Sequence, residues 1–259
     1  MKKAILPASL AILLISSATL FSGEAKSEAA YQPRLDSGGW EILFDGKDLG
    51  AWDVDPQAGV WVVTDQGELH PAKAGRSIFT KQRYSDYVLE LDFKMGAKAK
   101  ANSGVFIRTH DPRNEVNTGM EIQILDDAEY GVTWDAMNAN GALYDLVHPA
   151  VDANKPIGEW NHFKITANDN LITVELNGKE IVKADLNQWT TAKQNPDGKH
   201  NKFPNAIGAL PREGFIGLQD YGATPVWFKN VRLKSLSDRK PQFTGKEPIA
   251  DVLKKPAEK

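Results

Sequence analysis

The sequence predicts an all-β fold, a sandwich or jelly roll of antiparallel sheets. Three observations lead there. Short apolar runs recur along the chain with turn residues between them. Tyr87, Leu89, Leu91, Phe93 and Met95 alternate with Val88, Glu90, Asp92 and Lys94, a period of two that marks a strand with one buried face. No segment carries the 3.6-residue apolar period of a long amphipathic helix.

The elements follow in order. Residues 1–29 read as a secretory signal: Lys2 and Lys3, then an apolar run from Ala4 to Phe21 broken by Pro7, then small residues around Ser27-Glu28-Ala29. Gly23-Glu24-Ala25 is a second possible cut. The competing reading, a retained membrane anchor, is disfavoured by Pro7 and the well-placed small residues. Trp40–Phe44 is a short strand before the Asp45-Gly46 turn. Trp52 lies in a short apolar piece. Trp61–Val63 and Glu68–His70 flank a hairpin turn, and Ser77–Thr80 is a further strand. The strand 86–95 is followed by a Gly-Ala-Lys-Ala-Lys-Ala loop. Then come Asn102–Arg108 and Gly119–Asp126, joined by a polar loop. Residues 127–141 are an irregular loop, Ala142–Asp145 is a short piece, and 148–156 is loop again. Trp160–Ala167 and Leu171–Leu176 are strands, and Asn177-Gly178 is a strong hairpin signal before Lys179–Val182. Residues 187–212 form a long excursion expected to shape a substrate. Gly214–Asp220 and Val226–Leu233 are the last strands. Residues 237–259 read as a Lys- and Pro-rich surface tail, which leaves 30–236 as one domain.

Composition narrows the chemistry. The 259 residues include no cysteine, which excludes disulfides, thiolate catalysis and thiolate-bound metals. Loss of residues 1–29 removes three lysines and two glutamates and takes the formal charge from −3 to −4. Nucleic acid is not an expected partner of such a chain. No second apolar span follows the leader, so a periplasmic or secreted protein without stable membrane insertion is expected.

The stretch 102–126 holds the candidate site. On alternating strands, Val105 and Ile107 face one way with Met120, Ile122 and Ile124. Arg108, Glu121 and Gln123 then share the opposite, wetter face. Such polar faces are commonly just solvated. They also suit a hydroxyl-rich ligand, and Trp134 and Tyr144 are candidates for stacking on it. Arg108 is either a weak surface ion pair or a ligand clamp. Glu121, Gln123 and Asp126 resemble the Glu-x-Asp-x-x-Glu signature of laminarinase-like retaining glycosidases, but the middle acid is glutamine and the last is aspartate. Asp126 equally reads as a strand end. The five histidines form no metal-binding spacing. His148 and His162 are the better candidates for a role, although a solvated state is expected of each.

The pieces GWEILFDGKDL (39–49), NSGVFIR (102–108), GMEIQILD (119–126), GALYD (141–145), GEWNHFKI (158–165), NGKEI (177–181) and PREGFIGLQDYG (211–222) resemble, in order, the 3-keto-disaccharide hydrolase family. The resemblance implies a concanavalin A-like jelly-roll sandwich of two antiparallel sheets, one concave. It also implies an activity in which a ketone at carbon 3 of a sugar acidifies the carbon-2 hydrogen. A base removes that proton, the group at carbon 1 leaves, and water adds. On this basis Glu121 is the expected base. Arg108 and Gln123 would bind the ketone and nearby hydroxyls, and Asp126 or Asp220 would orient or donate. Gln219 and Tyr221 complete the expected carbohydrate-binding set. Tyr221 stands where many members have histidine, so no role of that histidine carries over. The resemblance leaves a divalent metal open, and no organic cofactor is expected. A non-catalytic lectin-like module and a conventional endo-glycosidase are the alternatives.

Overall fold

The computed structural model describes residues 31–54, 60–97 and 100–236. The expected leader (1–29) and tail (237–259) lie outside the described residues. The strands are β1 (Glu41–Phe44), β2 (Trp52–Asp53), β3 (Trp61–Val63), β4 (Leu69–Pro71), β5 (Ile78–Thr80), β6 (Tyr87–Met95) and β7 (Asn102–Thr109). They continue with β8 (Met120–Leu125), β9 (Trp160–Asn168), β10 (Leu171–Leu176), β11 (Lys179–Asp185), β12 (Phe215–Leu218) and β13 (Val226–Ser235). They form two antiparallel sheets. The larger runs β11-β10-β9-β6-β13-β4-β3, with β1 also on β13; the smaller runs β2-β5-β12-β7-β8. This is the two-sheet concanavalin A-like sandwich expected from the strand pattern and the motifs.

The large sheet follows simple alternation. Tyr87, Leu89, Leu91 and Phe93 are fully buried, and the residues between them are only half-buried. Phe93 stacks on Phe163 of β9 with ring centroids 4.6 Å apart. Asn177 and Gly178 both adopt positive φ, 52° and 80°, as a two-residue type I′ turn requires. The two helical segments, α1 (Glu115–Thr118) and α2 (Asp127–Tyr130), are single turns within segments that read as loops. Both are too short to show a helical period in sequence.

The small sheet departs from the expectation of one dry and one wet face. Every residue of β8, and all of β7 after Asn102, is buried. Val105, Ile107, Ile122 and Ile124 pack into the central core with Ile216 and Leu218 of β12. The opposite face is dry as well. Phe106 stacks on Phe79 there, with centroids 6.0 Å apart. The excursion 187–212 sends Trp189, Phe203, Ile207 and Leu210 into the core and lays Lys202 toward this face. The wet surface predicted for Glu121 and Gln123 is therefore a covered one.

Arg108 leaves that face altogether. The pairing of β12 with β7 shifts between Phe215↔Thr109 and Gly217↔Phe106, so Ile107 and Arg108 oppose a single residue. Arg108 sits in this bulge at φ 52°, and the period of two is broken. Its guanidinium is 1 % exposed and donates to the carbonyls of Ser85 and Asp169, with Asp86 Oδ1 at 3.4 Å. Arg108 thus ties the β5–β6 connection to the β9–β10 turn and is not placed to clamp a ligand beside Glu121. Truncation in Arg108→Ala removes a buried, hydrogen-bonded guanidinium and its links to both connections. It should lower stability by about 3 kcal/mol, measured by denaturant unfolding.

Candidate functional site

The site is centred on Glu121. β7 and β8 pair Phe106 with Glu121 and Gly104 with Gln123, which puts Gly104 diagonal to Glu121 on one face. The missing side chain at Gly104 is the space that the carboxylate occupies. A Cβ there would lie 2.8 Å from Glu121 Cγ and 2.9 Å from its Cδ, and would collide with Oε1. Gln219, one residue beyond β12, extends the pairing by donating its N–H to Gly104 O at 2.9 Å. Its carbonyl accepts the Ser103 hydroxyl at 2.7 Å. Backbone bonds on both sides thus hold Gln219 so that Nε2 donates to Glu121 Oε1 at 2.8 Å. Gln219 Oε1 is buried and has no partner among the described residues.

The other oxygen faces a cation. Lys202 Nζ lies 3.9 Å from Glu121 Oε2 and 4.2 Å from the centre of the Tyr144 ring. Tyr144 follows the segment that lines the free edge of β8, where Gly141 and Tyr144 donate N–H groups to the carbonyls of Gln123 and Glu121. Burial pushes the Glu121 carboxyl from 4.5 up to about 7, against the opposing pull of Lys202 and Gln219; the charge of Glu115 on α1 raises it further. Burial also lowers the Lys202 ammonium. Tyr144 is raised, first by burial and then by the charges of Glu121 and Asp145. The result is a carboxyl that exchanges its proton near neutrality beside a partly dehydrated ammonium.

The predicted residues divide into those the fold brings together and those it does not. Glu121, Gln219 and Tyr144 form one cluster, and Tyr221, 57 % exposed, lies close enough to act electrostatically on Tyr144. Gln123 is buried on the same face and donates to Asn102 Oδ1 at 3.2 Å. Asp220 lines a cleft of about 230 Å³ with Arg76, Arg113 and Glu115. Its oxygens accept the N–H groups of Gly75 and Ala223, so it fastens two loops there. Asp126 is the N-cap of α2 and accepts from Glu129 N. Trp134 stands exposed on the loop after α2 and shares none of the contacts that join the cluster. Lys202 and Glu115 were not legible in sequence. Lys202 lies in an excursion without periodicity, and Glu115 in a polar inter-strand segment.

The histidines stand apart. His148 is exposed and its Nδ1 meets Pro149 O at 2.8 Å. His162 belongs to the large sheet, where Nδ1 bonds Asp92 at 2.7 Å and raises its pKa. His110 is buried, which pushes it down to about 4. Among the described residues no three of His, Asp or Glu meet in a way that could hold a metal ion. The set around Glu121, one carboxylate with an ammonium and a carboxamide, is short of oxygen ligands for a divalent cation.

Two outcomes follow. Because the folded Glu121 holds its proton more tightly than the unfolded chain, its contribution favours the fold below pH 4.5. That contribution is lost as pH rises to about 7, by roughly 3 kcal/mol. Glu121→Gln should remove this slope, so the two unfolding free energies should diverge across that window, with the variant the more stable at pH 8. Gly104→Ala should leave the sandwich folded by circular dichroism. It should displace the Glu121 carboxylate and raise its apparent pKa as the Gln219 bond is lost, read by NMR titration of the labelled carboxyl.

Comparison with known proteins agrees with this architecture. Residues 39–234 match the family described as the 3-keto-alpha-glucoside-1,2-lyase-like domain. A 3-keto-disaccharide hydrolase of Bacteroides thetaiotaomicron is 29 % identical over 239 residues, covering 78 % of this chain and 80 % of that protein. Two crystal structures of candidate glycosyl hydrolases from Parabacteroides distasonis superpose on it. One has a TM-score of 0.68 and 36 % identity over 76 % of this chain and 99 % of the other. The second has a TM-score of 0.62 and 27 % identity over 77 % and 95 %. With the match running from Gly39 to Lys234 and taking in both sheets and every residue of the Glu121 cluster, the chain belongs to the 3-keto-alpha-glucoside-1,2-lyase-like family.

Proposed function

We propose that this protein cleaves the glycosidic bond of 3-keto-glycosides, 3-keto-disaccharides among them, by proton abstraction, elimination and hydration. The observation that carries the reading is the state of Glu121. It is a buried carboxyl with a proton affinity near 7, one oxygen fixed by Gln219 and the other open toward Lys202. A general base works best when its pKa lies near the working pH. Family membership and the name of the Bacteroides thetaiotaomicron relative support the same substrate class.

In this reading Glu121 takes the proton from carbon 2, which the carbon-3 ketone has acidified. The resulting enolate collapses to expel the group at carbon 1, and water then adds to the unsaturated sugar. Gln219 Oε1, buried without a partner among the described residues, accepts a sugar hydroxyl, and Gln123 serves a neighbouring one. Tyr144, whose phenol burial keeps protonated, and the exposed Tyr221 supply a ring surface and a proton for the leaving oxygen. Asp220 orients the cleft wall through the amides of Gly75 and Ala223, and Asp126 acts only through the turn it caps. The leader at 1–29 supports export to the periplasm or medium.

The test is release of the aglycone from a 3-keto-glucoside, run with and without added divalent cation. Release is expected, with solvent deuterium entering at carbon 2, and Glu121→Gln should slow it by about 100-fold or more. No release under either condition overturns the proposal and leaves the lectin-like alternative. Comparable release from the unoxidised glucoside identifies a conventional glycosidase instead.

A further inference from the structure

We propose that Lys202 is the electrophile of this site: its ammonium binds the carbon-3 oxygen of the sugar and takes up the negative charge that develops as Glu121 removes the carbon-2 proton. The inference rests on the function proposed above and names the group that the reaction needs and Arg108 does not supply.

The geometry suits two adjacent atoms of one substrate. Glu121 Oε1 is held by Gln219 at 2.8 Å, so Oε2 is the oxygen left to accept a proton. Lys202 Nζ stands 3.9 Å from Oε2. That is too far for a good hydrogen bond, so the two attract each other through space without a bond that the substrate would have to break. In an enolising ketone the α-carbon and the carbonyl oxygen are about 2.4 Å apart, by ordinary bond lengths. A base on the first and a cation on the second, with contacts of about 3 Å to each, can stand about 4 to 6 Å apart, and the observed 3.9 Å lies at the near end of that range. Electrons and protons then balance without a co-reactant. The C2–H bond breaks, its proton passes to Oε2, and the electron pair becomes the C2–C3 double bond. Negative charge moves to the carbon-3 oxygen against the ammonium. Return of that charge re-forms the carbon-3 carbonyl, makes the C1–C2 double bond and expels the carbon-1 substituent, whose oxygen takes a proton from Tyr144 or Tyr221. The water that later adds gives its hydroxyl to carbon 1 and its proton to that phenolate, while Oε2 returns its proton to carbon 2.

The lysine is also held for this task. Its side chain is 22 % exposed and lies over the rings of Tyr144 and Phe203. Its backbone N–H donates to Asp145 Oδ2 at 2.5 Å, and Asp145 is held at φ 62°. Asp145 O accepts from Asn195 Nδ2 at 3.1 Å, while Asn195 Oδ1 accepts from Trp189 Nε1 and Asn201 Nδ2 at 2.7 and 3.0 Å. This buried network fixes the excursion 187–212 to the segment that carries Tyr144. The more ordinary role for Lys202 is to offset the charge of buried Glu121, and the two roles have different kinetic signatures.

The experiment compares wild type with Lys202→Met on a 3-keto-glucoside across pH. It follows both aglycone release and hydrogen–deuterium exchange at carbon 2. An electrophile lost should lower the high-pH plateau of kcat by about 100-fold or more, with exchange falling in parallel and KM changing far less. Added ethylammonium should restore part of the rate in Lys202→Ala. If Lys202→Met instead moves only the acid limb of the profile upward and keeps the plateau within about threefold of wild type, the lysine serves only as a counter-charge and the inference is overturned. Should that variant not fold, Lys202→Gln is read by the same criteria. Wild-type protein that releases nothing defeats the underlying proposal as well, whereas active wild type with an equally active variant defeats this inference alone.

Discussion

The burial of one carboxylate governs this end of the molecule. Glu121 is 5 % exposed on a sheet face that alternation alone would leave in water. An isolated ionised carboxylate in such a place is costly, so its surroundings must answer for it. Gly104 vacates the volume, Gln219 donates to one oxygen, and Lys202 approaches the other. None of the three cancels the desolvation, and the residual cost is what moves the proton affinity into the range useful to a base. Stability and chemistry are thus opposed at a single residue, as is common where a fold supports a reactive group.

The rest of the architecture reads as support for that compromise. The large sheet supplies a conventional core, with alternating strands and an aromatic stack at its centre. The small sheet is then free to be irregular. Its bulge turns Arg108 away, its edge is lined by residues 141–144, and its outer face is sealed by a long excursion that has its own apolar anchors. Asp220 and Asp126, which read as acids, fasten the loops on which the site depends.

Most of the fold was legible because strands and tight turns are local. The alternation of 87–95 and the Asn177-Gly178 turn needed only a few consecutive residues to declare themselves. Glu121, Gln219 and Tyr144 were legible as site residues through the ordered motifs around them. What was hidden depended on distance or on broken periodicity. Arg108 was misplaced because a positive φ and an extra residue in the bulge undo the alternation on which its facing was inferred. The dryness of the outer face was hidden because its cover comes from a segment some 80 residues further along, joined by contacts that no local pattern records. Lys202 could be found only once that cover was in place.

Ser103, Gly104 and Gln219 bring together two parts of the chain more than 110 residues apart, and Glu121 meets Gln219 across 98. Long-range contacts of this kind form late, because the closure entropy of the intervening chain must be overcome before they add any stability. The first half of the polypeptide already contains the base and the glycine that shelters it, whereas the ammonium arrives with the excursion 187–212 and the amide that orients Glu121 only with the residue after β12. A chain emerging in order from its N-terminus therefore holds Glu121 before either of its partners exists, and the reactive centre is completed only when the end of β12 closes on β7.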